Sequence, residues 1–540
     1  MYFYLWRFFY IAFFLILIGV CYEKMRIRRL SPPIVGIFMI GALVITMRSE
    51  FHSLFSFQDP TALLGMYVGQ AYRTDDDEIR FYFFQEMENT NELLFDDGGT
   101  WRPILMRCIC PMTTILSQCT VEGHLGVASF SRTRHVMPTL RLRTRFTVTP
   151  YDIPVVDVRI RADYPHQLGV CLQPVYFHAD WPAYAQYIEF WLATGATKFY
   201  LYVHSATPKV RWLLSRYEAV LGDSLEIIEW SDLPVQERYR GNFYADPNTR
   251  IFSAGGHTAL NDCILRARSH VKFLAIVDLD ELLHVPSGRK ALDVLNQLTL
   301  RYPEAGSFAF EWQYVQQETN MKVVRRPSDV SFSSLSRLKR PVSTTIVDDY
   351  VRLKKMIHRP ERVIMSDVHN TIFNDLLDRY SRMRDIRFDT ACAVRPDGVA
   401  YREERFSEVY VEDGLATVLH LRRFDALSNI KVPYNTSSQF DDLQAVAGEM
   451  ESMWKKRIAS GQIENRKMGN WYPAFEQTVR DLESCRVYPF NVRLPVGKGF
   501  CRALVNCEPM LTVKEAYVKS DQTWTNVAHR GKFISYITPS

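Results

Sequence analysis

A doubly wound α/β sheet is the fold class this sequence predicts, and three observations predict it. From Gly169 onward, apolar runs of strand length alternate with runs of helix length. Of the 540 residues, 47% are hydrophobic and 13% aromatic, enough to fill several cores. One apolar run, Phe273-Leu-Ala-Ile-Val277, stops abruptly at Asp278-Leu-Asp280-Glu281. Strands alternating with helices build a parallel sheet covered on both faces, joined by right-handed crossovers.

The elements follow in order. Val170 to Phe177 reads as a strand, Trp181 to Thr194 as a helix and Lys198 to Val203 as a strand. Pro208 to Val220 reads as a helix, Leu225 to Trp230 as a strand, Ile251 to His270 as a long helix and Val271 to Val277 as a strand. The three acids therefore end a fourth strand, at the sheet edge where open α/β sheets take their ligands. This block occupies residues 165–440. Residues 48–164 read as a β-rich lead-in, because short aromatic and β-branched runs such as Ile79-Arg-Phe-Tyr-Phe-Phe84 are broken by Asp, Gly and Pro. Residues 441–540 read as an extension of helix and loop, with Trp454 and Ile458 at helical spacing and Val496-Gly-Lys-Gly499 as a turn.

Residues 1–47 hold two apolar segments, Phe8 to Tyr22 and Ile34 to Met47, around a linker carrying Lys24, Arg26, Arg28 and Arg29. Each is short for a span of about 17 to 25 residues, so flanking residues must help. The positive-inside tendency keeps the linker cytosolic and sends the chain beyond Met47 across. A start at Met25 gives a single type II signal anchor with the same outcome. The expectation is a Golgi or ER membrane protein whose body is lumenal.

Nine cysteines follow Cys21, and an oxidising lumen lets several pair. Cys171 and Cys263 fall in core elements and read as buried free thiols, whereas Cys485, Cys501 and Cys507 read as disulfide material. Cys108-x-Cys110 lacks a second pair at metal-site spacing, which argues against zinc. The sequon Asn435-Thr436-Ser437 is compatible with lumenal exposure.

A formal net charge of +5 on 62.9 kDa is too mild and dispersed for nucleic-acid binding. One local excess stands out, with eleven Lys or Arg against four acids between Lys322 and Arg362. It reads either as a solvated loop or as a clamp over a phosphate-bearing ligand.

Two carboxylates one residue apart point the same way from an extended chain, so Asp278 and Asp280 suit one hard divalent cation, and that cation suits a diphosphate. The plain alternative is a strand end whose acids face water or cap a helix. A haloacid-dehalogenase-type phosphatase also ends a strand in D-x-D. There the motif opens the domain and a small hydroxylated or β-branched residue follows, where this chain has Leu282 after three complete βα units. Nucleotide-sugar transferases of the GT-A type place the acids after such units, and the order here fits them.

The residues now resemble glycosyltransferase family 92. The matching stretches are Tyr176-Phe-His-Ala-Asp-Trp181-Pro-Ala-Tyr-Ala-Gln-Tyr-Ile-Glu-Phe-Trp191 with Gly195-Ala-Thr-Lys-Phe-Tyr-Leu-Tyr202, then Asn261-Asp262-Cys263 and Asp278-Leu-Asp280-Glu281. Lys355-Met-Ile-His-Arg-Pro360, His369 and His420-Leu-Arg422-Arg423 follow in order; Leu421 stands where the family more often has an aromatic. The resemblance spans about Pro165 to Val432. It implies a GT-A-like sheet and a metal-dependent, inverting transfer of a hexose, galactose from UDP-galactose, onto a glycan acceptor carried by a glycoprotein.

On that reading Asp280 binds Mn2+ or Mg2+, Asp278 binds the metal or the ribose, and Glu281 supports the ligands or caps a helix. His369 and His420 are both candidates for a further metal ligand. Lys355, Arg359, Arg422 and Arg423 are candidates to pair with the diphosphate. The carboxylate that takes the acceptor proton is Asp367, or else Glu311. In Ser307-Phe-Ala-Phe-Glu-Trp-Gln-Tyr314 the two-residue period puts Phe308, Phe310, Trp312 and Tyr314 on one face and Glu311 on the other, so Trp312 and Tyr314 are placed to stack on a sugar. The rival on the same fold is a lumenal glycan-binding or scaffold protein without turnover.

Overall fold

The computed structural model describes residues 66–86, 92–109, 119–131, 137–145, 150–160, 163–242, 245–317, 323–339, 354–374, 406–412, 414–422, 440–491, 503–513, 517–529 and 532–537. The two N-terminal apolar segments, the sequon at Asn435, Arg423, Cys110, Cys501 and the turn at Val496 lie outside these residues. Among the described residues no helix is long and apolar enough to cross a membrane.

The α/β block begins with β1 (His166–Val175), α1 (Trp181–Ala193), β2 (Lys198–Val203), α2 (Pro208–Leu221), β3 (Leu225–Glu229), α3 (Gly256–Ala267) and β4 (Val271–Ile276). It continues with β5 (Glu281–His284), α4 (Ala291–Arg301), β6 (Ala305–Gln316), β7 (Lys354–His358), β8 (Val363–Ser366), β9 (Thr371–Asn374), β10 (Ser407–Tyr410) and β11 (Thr417–Arg422). The sheet order is β3-β2-β1-β4-β7-β6-β11-β5, with β10 also paired to β6, while β8 and β9 form a separate hairpin. The first four strands are mutually parallel. β7 runs antiparallel to β4 and β6, so the sheet is mixed.

Period-two alternation explains why these segments became central strands. Leu168, Val170, Phe199, Leu201, Phe273 and Ala275 face the core shared with α1, α2 and α4, whereas Cys171, Tyr200, Tyr202, Leu274 and Ile276 face the core shared with α3. Helix α1 is capped by Asp180, whose side chain accepts from the Ala183 N–H at 3.1 Å, and it starts with Pro182 in its first turn.

The long helix expected from Ile251 begins instead at Gly256. Ser253, Ala254 and Gly255 have φ of 44°, 45° and 77°, a left-handed turn that no α-helix accommodates. Tyr176 donates to the Ser253 carbonyl at 2.6 Å and the Trp230 indole to that of Ala254 at 2.8 Å, so tertiary hydrogen bonds hold the break.

Cys171 and Cys263, read above as free thiols, form a disulfide between β1 and α3. Burial alone does not distinguish a thiol from a bridge; the facing of strand and helix decides it. Cys485 is bonded to Cys507, and Cys108 and Cys119 are disulfide-bonded as well.

Residues 66–157 supply eight strands of a second, ten-stranded sheet. The last two strands are Trp524–His529 and Lys532–Ile537, the latter parallel to Met66–Asp75. The extension after residue 441 is therefore not helix and loop alone. It includes helices Leu443–Ala459 and Tyr472–Asn491, and it also completes the lead-in sheet. Its short strand Val518–Lys519 pairs with Ser205–Ala206 just beyond β2.

The lead-in sheet packs on α3. Tyr72 and Tyr202 each donate to the Asp262 carboxylate at 2.6 Å, and Tyr82 donates to the Asn261 carbonyl at 2.6 Å. Gly123 lies so close that a Cβ there would fall 2.0 Å from Thr258 Oγ1.

His358 sits mid-sheet, fully buried, and neither ring nitrogen has a hydrogen-bond partner. Burial pushes its pKa down to about 3. The unfolded chain, titrating near 6.5, then binds the extra proton between those values, so this contribution to stability is intact above about pH 6.5 and is lost as pH falls toward 3. His358→Gln is expected to flatten the fall in unfolding free energy between pH 7 and pH 4, as read by urea denaturation. An unchanged slope counts against a neutral buried imidazole.

Candidate active site

The end of β4 and the start of β5 form a tight turn. The Glu281 N–H donates to the Asp278 carbonyl at 3.1 Å, and the Asp278 N–H donates to Glu281 Oε2 at 2.7 Å. This turn brings Asp278 and Glu281 together on Lys355 and turns Asp280 away from them, although the three are close in sequence.

Asp278 points back toward β1 and β7. Gln173 donates to its Oδ1, and Lys355 Nζ lies 2.9 Å from its Oδ2. Lys355 also reaches Glu281 Oε2 at 3.0 Å; Glu281 is fully buried and Lys355 is 2% exposed. Burial opposes the charge on Asp278, but Lys355 beside it holds the carboxyl below the ordinary range. Burial likewise opposes the charge on Lys355, and the two carboxylates outweigh it, raising the ammonium above the usual lysine range. Burial and the neighbouring Asp278 push Glu281 up to about 7, against the pull of Lys355.

Asp280 points the other way, with 40% of its side chain exposed, and its Oδ2 lies 2.9 Å from His420 Nε2. Its carbonyl accepts from the Leu421 N–H at 2.7 Å, so backbone and side chain both tie the turn to β11. The register is specific: His420 is the cross-strand partner of Glu281 on β5 and of Tyr314 on β6. Its Nδ1 faces Glu281 Oε1 at 3.8 Å.

Of the two histidine candidates, His420 is thus placed beside Asp280. His369 sits across Trp312, at 6.5 Å between ring centroids, and its Nδ1 is 2.8 Å from the Lys354 carbonyl. Burial lowers its pKa. Asp367 caps the turn between β8 and β9, Oδ1 accepting the N–H groups of His369 and Asn370, both at 2.7 Å. Glu311 pairs in register with Lys354, on the face of β6 opposite Trp312. On the aromatic face, Phe308 and Phe310 are core, and Trp312 and Tyr314 emerge half-buried at the site.

The basic residues are placed differently from a phosphate clamp. Lys355 is neither exposed nor open to a diphosphate, because the buried Glu281 and the half-buried Asp278 both demand its charge. Arg359 follows the far end of β7, paired with Glu361 at 2.9 Å. Since His358 pairs with Leu274, Arg359 lies near the start of β4, roughly five residues or about 17 Å of strand from Asp278. Lys354 pairs with Glu408 at 3.1 Å. The local excess of charge is balanced residue by residue among these positions. Arg422 ends β11 opposite Gln316, and its side chain lies outside the described residues.

Several residues that shape the site carry no motif. Gln173 and Trp312 are examples, since their roles come from acids more than 30 positions away. Asn261-Asp262-Cys263 proves to be scaffold. Asn261 exchanges hydrogen bonds with the Ser366 backbone at 2.7 and 2.8 Å, pinning the hairpin that carries Asp367; Asp262 gathers two tyrosines, and Cys263 is bridged. Among the described residues, Cys108, Glu122 and His124 also converge closely enough to hold a metal, but the sulfur of Cys108 is committed to a disulfide.

A family model described as glycosyltransferase family 92 matches residues 166–388. A glycosyltransferase family 92 protein of Caenorhabditis elegans is 21% identical over 218 residues, 40% of this chain and 39% of the relative, so the match spans about two fifths of that protein. Among solved structures, a mannosyltransferase from Pyrobaculum calidifontis in complex with GDP-Man and Mn2+ aligns over 66% of this chain and 90% of its own at 12% identity, with a TM-score of 0.22. An amylomaltase from Corynebacterium glutamicum aligns over 31% and 24% at 13% identity, with a TM-score of 0.12. Neither score carries an argument. The matched range holds β1 to β9, the three acids and Lys355, and over residues 166–388 this chain is similar to glycosyltransferase family 92.

Proposed function

We propose that this chain is a GT-A-like, membrane-anchored glycosyltransferase that moves a hexose, galactose from UDP-galactose, onto a glycan acceptor in the secretory pathway. The observation that carries the reading is the placing of Asp280 Oδ2 and His420 Nε2 2.9 Å apart at the ligand-binding edge of the sheet. One carboxylate oxygen and one imidazole nitrogen at this separation suit Mn2+ or Mg2+, and the exposure of Asp280 leaves room for phosphate oxygens and water. Asp280 and His420 would hold the ion. When bound, it supplies Lewis-acid neutralisation of the diphosphate leaving group. Asp278, with an oxygen on Gln173 and another on Lys355, braces the turn from beneath.

In an inverting transfer the acceptor hydroxyl attacks the anomeric carbon opposite the diphosphate. The new C–O bond forms as the bond to the diphosphate breaks, and a carboxylate takes the hydroxyl proton. We assign that proton to Asp367 Oδ2, Oδ1 being committed to the turn, with Glu311 as the second candidate. The disulfides Cys171–Cys263 and Cys485–Cys507 support a lumenal body, and the apolar segments Phe8 to Tyr22 and Ile34 to Met47 support its tether.

Incubating the full chain with a panel of nucleotide sugars and a glycan array is expected to give UDP-galactose-dependent product, abolished by EDTA and restored by Mn2+. Nucleotide binding that ignores EDTA, with no product from any donor, would favour the binding-protein rival.

A further inference from the structure

Trp312 stands at the hub of the site. Its indole Nε1 donates to Glu281 Oε1 at 2.7 Å, and its ring lies 4.5 Å from that of His420, centroid to centroid. Tyr314, 4.4 Å from Trp312, stacks on the same imidazole at 5.2 Å with the planes 29° apart. His420 therefore rests against a pair of touching rings, Tyr314 stacked on it and Trp312 tilted by 54°, with Nδ1 toward Glu281 and Nε2 toward Asp280. Its backbone is fixed by pairing on both sides.

An imidazole that lends the Nε2 lone pair to a cation keeps its proton on Nδ1, and the oxygen facing that nitrogen is Glu281 Oε1. Trp312 fixes this very oxygen. We infer that Trp312 is a positioning residue: through one hydrogen bond to Glu281 and one ring contact to His420, it holds the imidazole in the tautomer and orientation that complete a cation site with Asp280. The inference rests on the cation reading proposed above and adds the device that pre-orders its nitrogen ligand. Glu281, the third acid of the motif, then orients the ligands without binding the ion.

The test is binding of Mn2+ alone to the purified full chain, followed by the electron paramagnetic resonance signal of the free ion. Trp312→Phe keeps an aromatic ring and deletes the N–H; Glu281→Gln alters the acceptor of the same bond. Each is expected to weaken Mn2+ binding about 10- to 100-fold, the range for residues that orient metal ligands. The double variant is expected to lose no more than the weaker-binding single variant, because both act through one hydrogen bond. Asp280→Asn serves as the control and is expected to abolish binding. If Asp280→Asn abolishes binding while Trp312→Phe binds as the parent does, or if the two losses simply add, the positioning role is overturned and the cation site stands. If the parent binds no Mn2+, both fall. Should Trp312→Phe not fold, parent-like binding by Glu281→Gln overturns the role equally.

Discussion

Asp280→Ala is expected to reduce transfer at least about 10²- to 10³-fold, the loss typical of removing a group that stabilises charge developing in the transition state. The variant is expected to melt where the parent does. Two observations set this combination. The side chain is 40% exposed, so its removal leaves no cavity in the core. The backbone hydrogen bond that fastens the turn to β11 is donated by the Leu421 N–H to the Asp280 carbonyl, which alanine retains. Initial rates with UDP-galactose, together with a melting curve, provide the check. Parent-like rates would remove Asp280 from the proposed cation site, and a large drop in melting temperature would recast it as a structural residue.

Lys355→Met is expected to have the largest effect on stability. The substitution keeps the length of the side chain and removes the charge between Asp278 and Glu281. Breaking a buried ion pair from one side leaves an uncompensated charge at a cost of about 3–5 kcal/mol, and here two acids are left facing each other. Urea denaturation is the measurement. Adding Glu281→Gln to Lys355→Met is expected to recover part of the loss, since it removes one of the stranded carboxylates. A Lys355→Met chain as stable as the parent, to within about 1 kcal/mol, would mean that the triad is not coupled in the folded protein.

How much of this was legible in the sequence depends on the range of the interaction concerned. β1, β2 and β4 were readable because strands buried on both faces carry long apolar runs, and β3, an edge strand with Glu226 and Glu229, because it stands between recognisable helices. Asp278 and Asp280 were readable as a strand end, and His420 as the polar end of Ala416-Thr-Val-Leu. The partner of Lys355 was not readable. A lysine within a basic stretch resembles every other lysine until a strand pairing brings it to acids 77 and 74 positions earlier. The same holds for Cys171 and Cys263, 92 residues apart, and for the indole of Trp312, whose register with β11 fixes its neighbours. The break before α3 escaped because it is held by Tyr176 and Trp230 from other elements, whereas local propensity favours an uninterrupted helix.

The pairing of Met66–Asp75 with Lys532–Ile537 has a consequence for biogenesis. On the ribosome the strand Met66–Asp75 emerges more than 450 residues before its partner Lys532–Ile537, so that part of its edge stays unpaired until the partner follows. Termination before residue 532 would strip a neighbour from Met66–Asp75, a defect far along the chain from the lesion. Such a chain, its sheet still open along one side, presents the unpaired backbone that quality-control machinery and aggregation both seek.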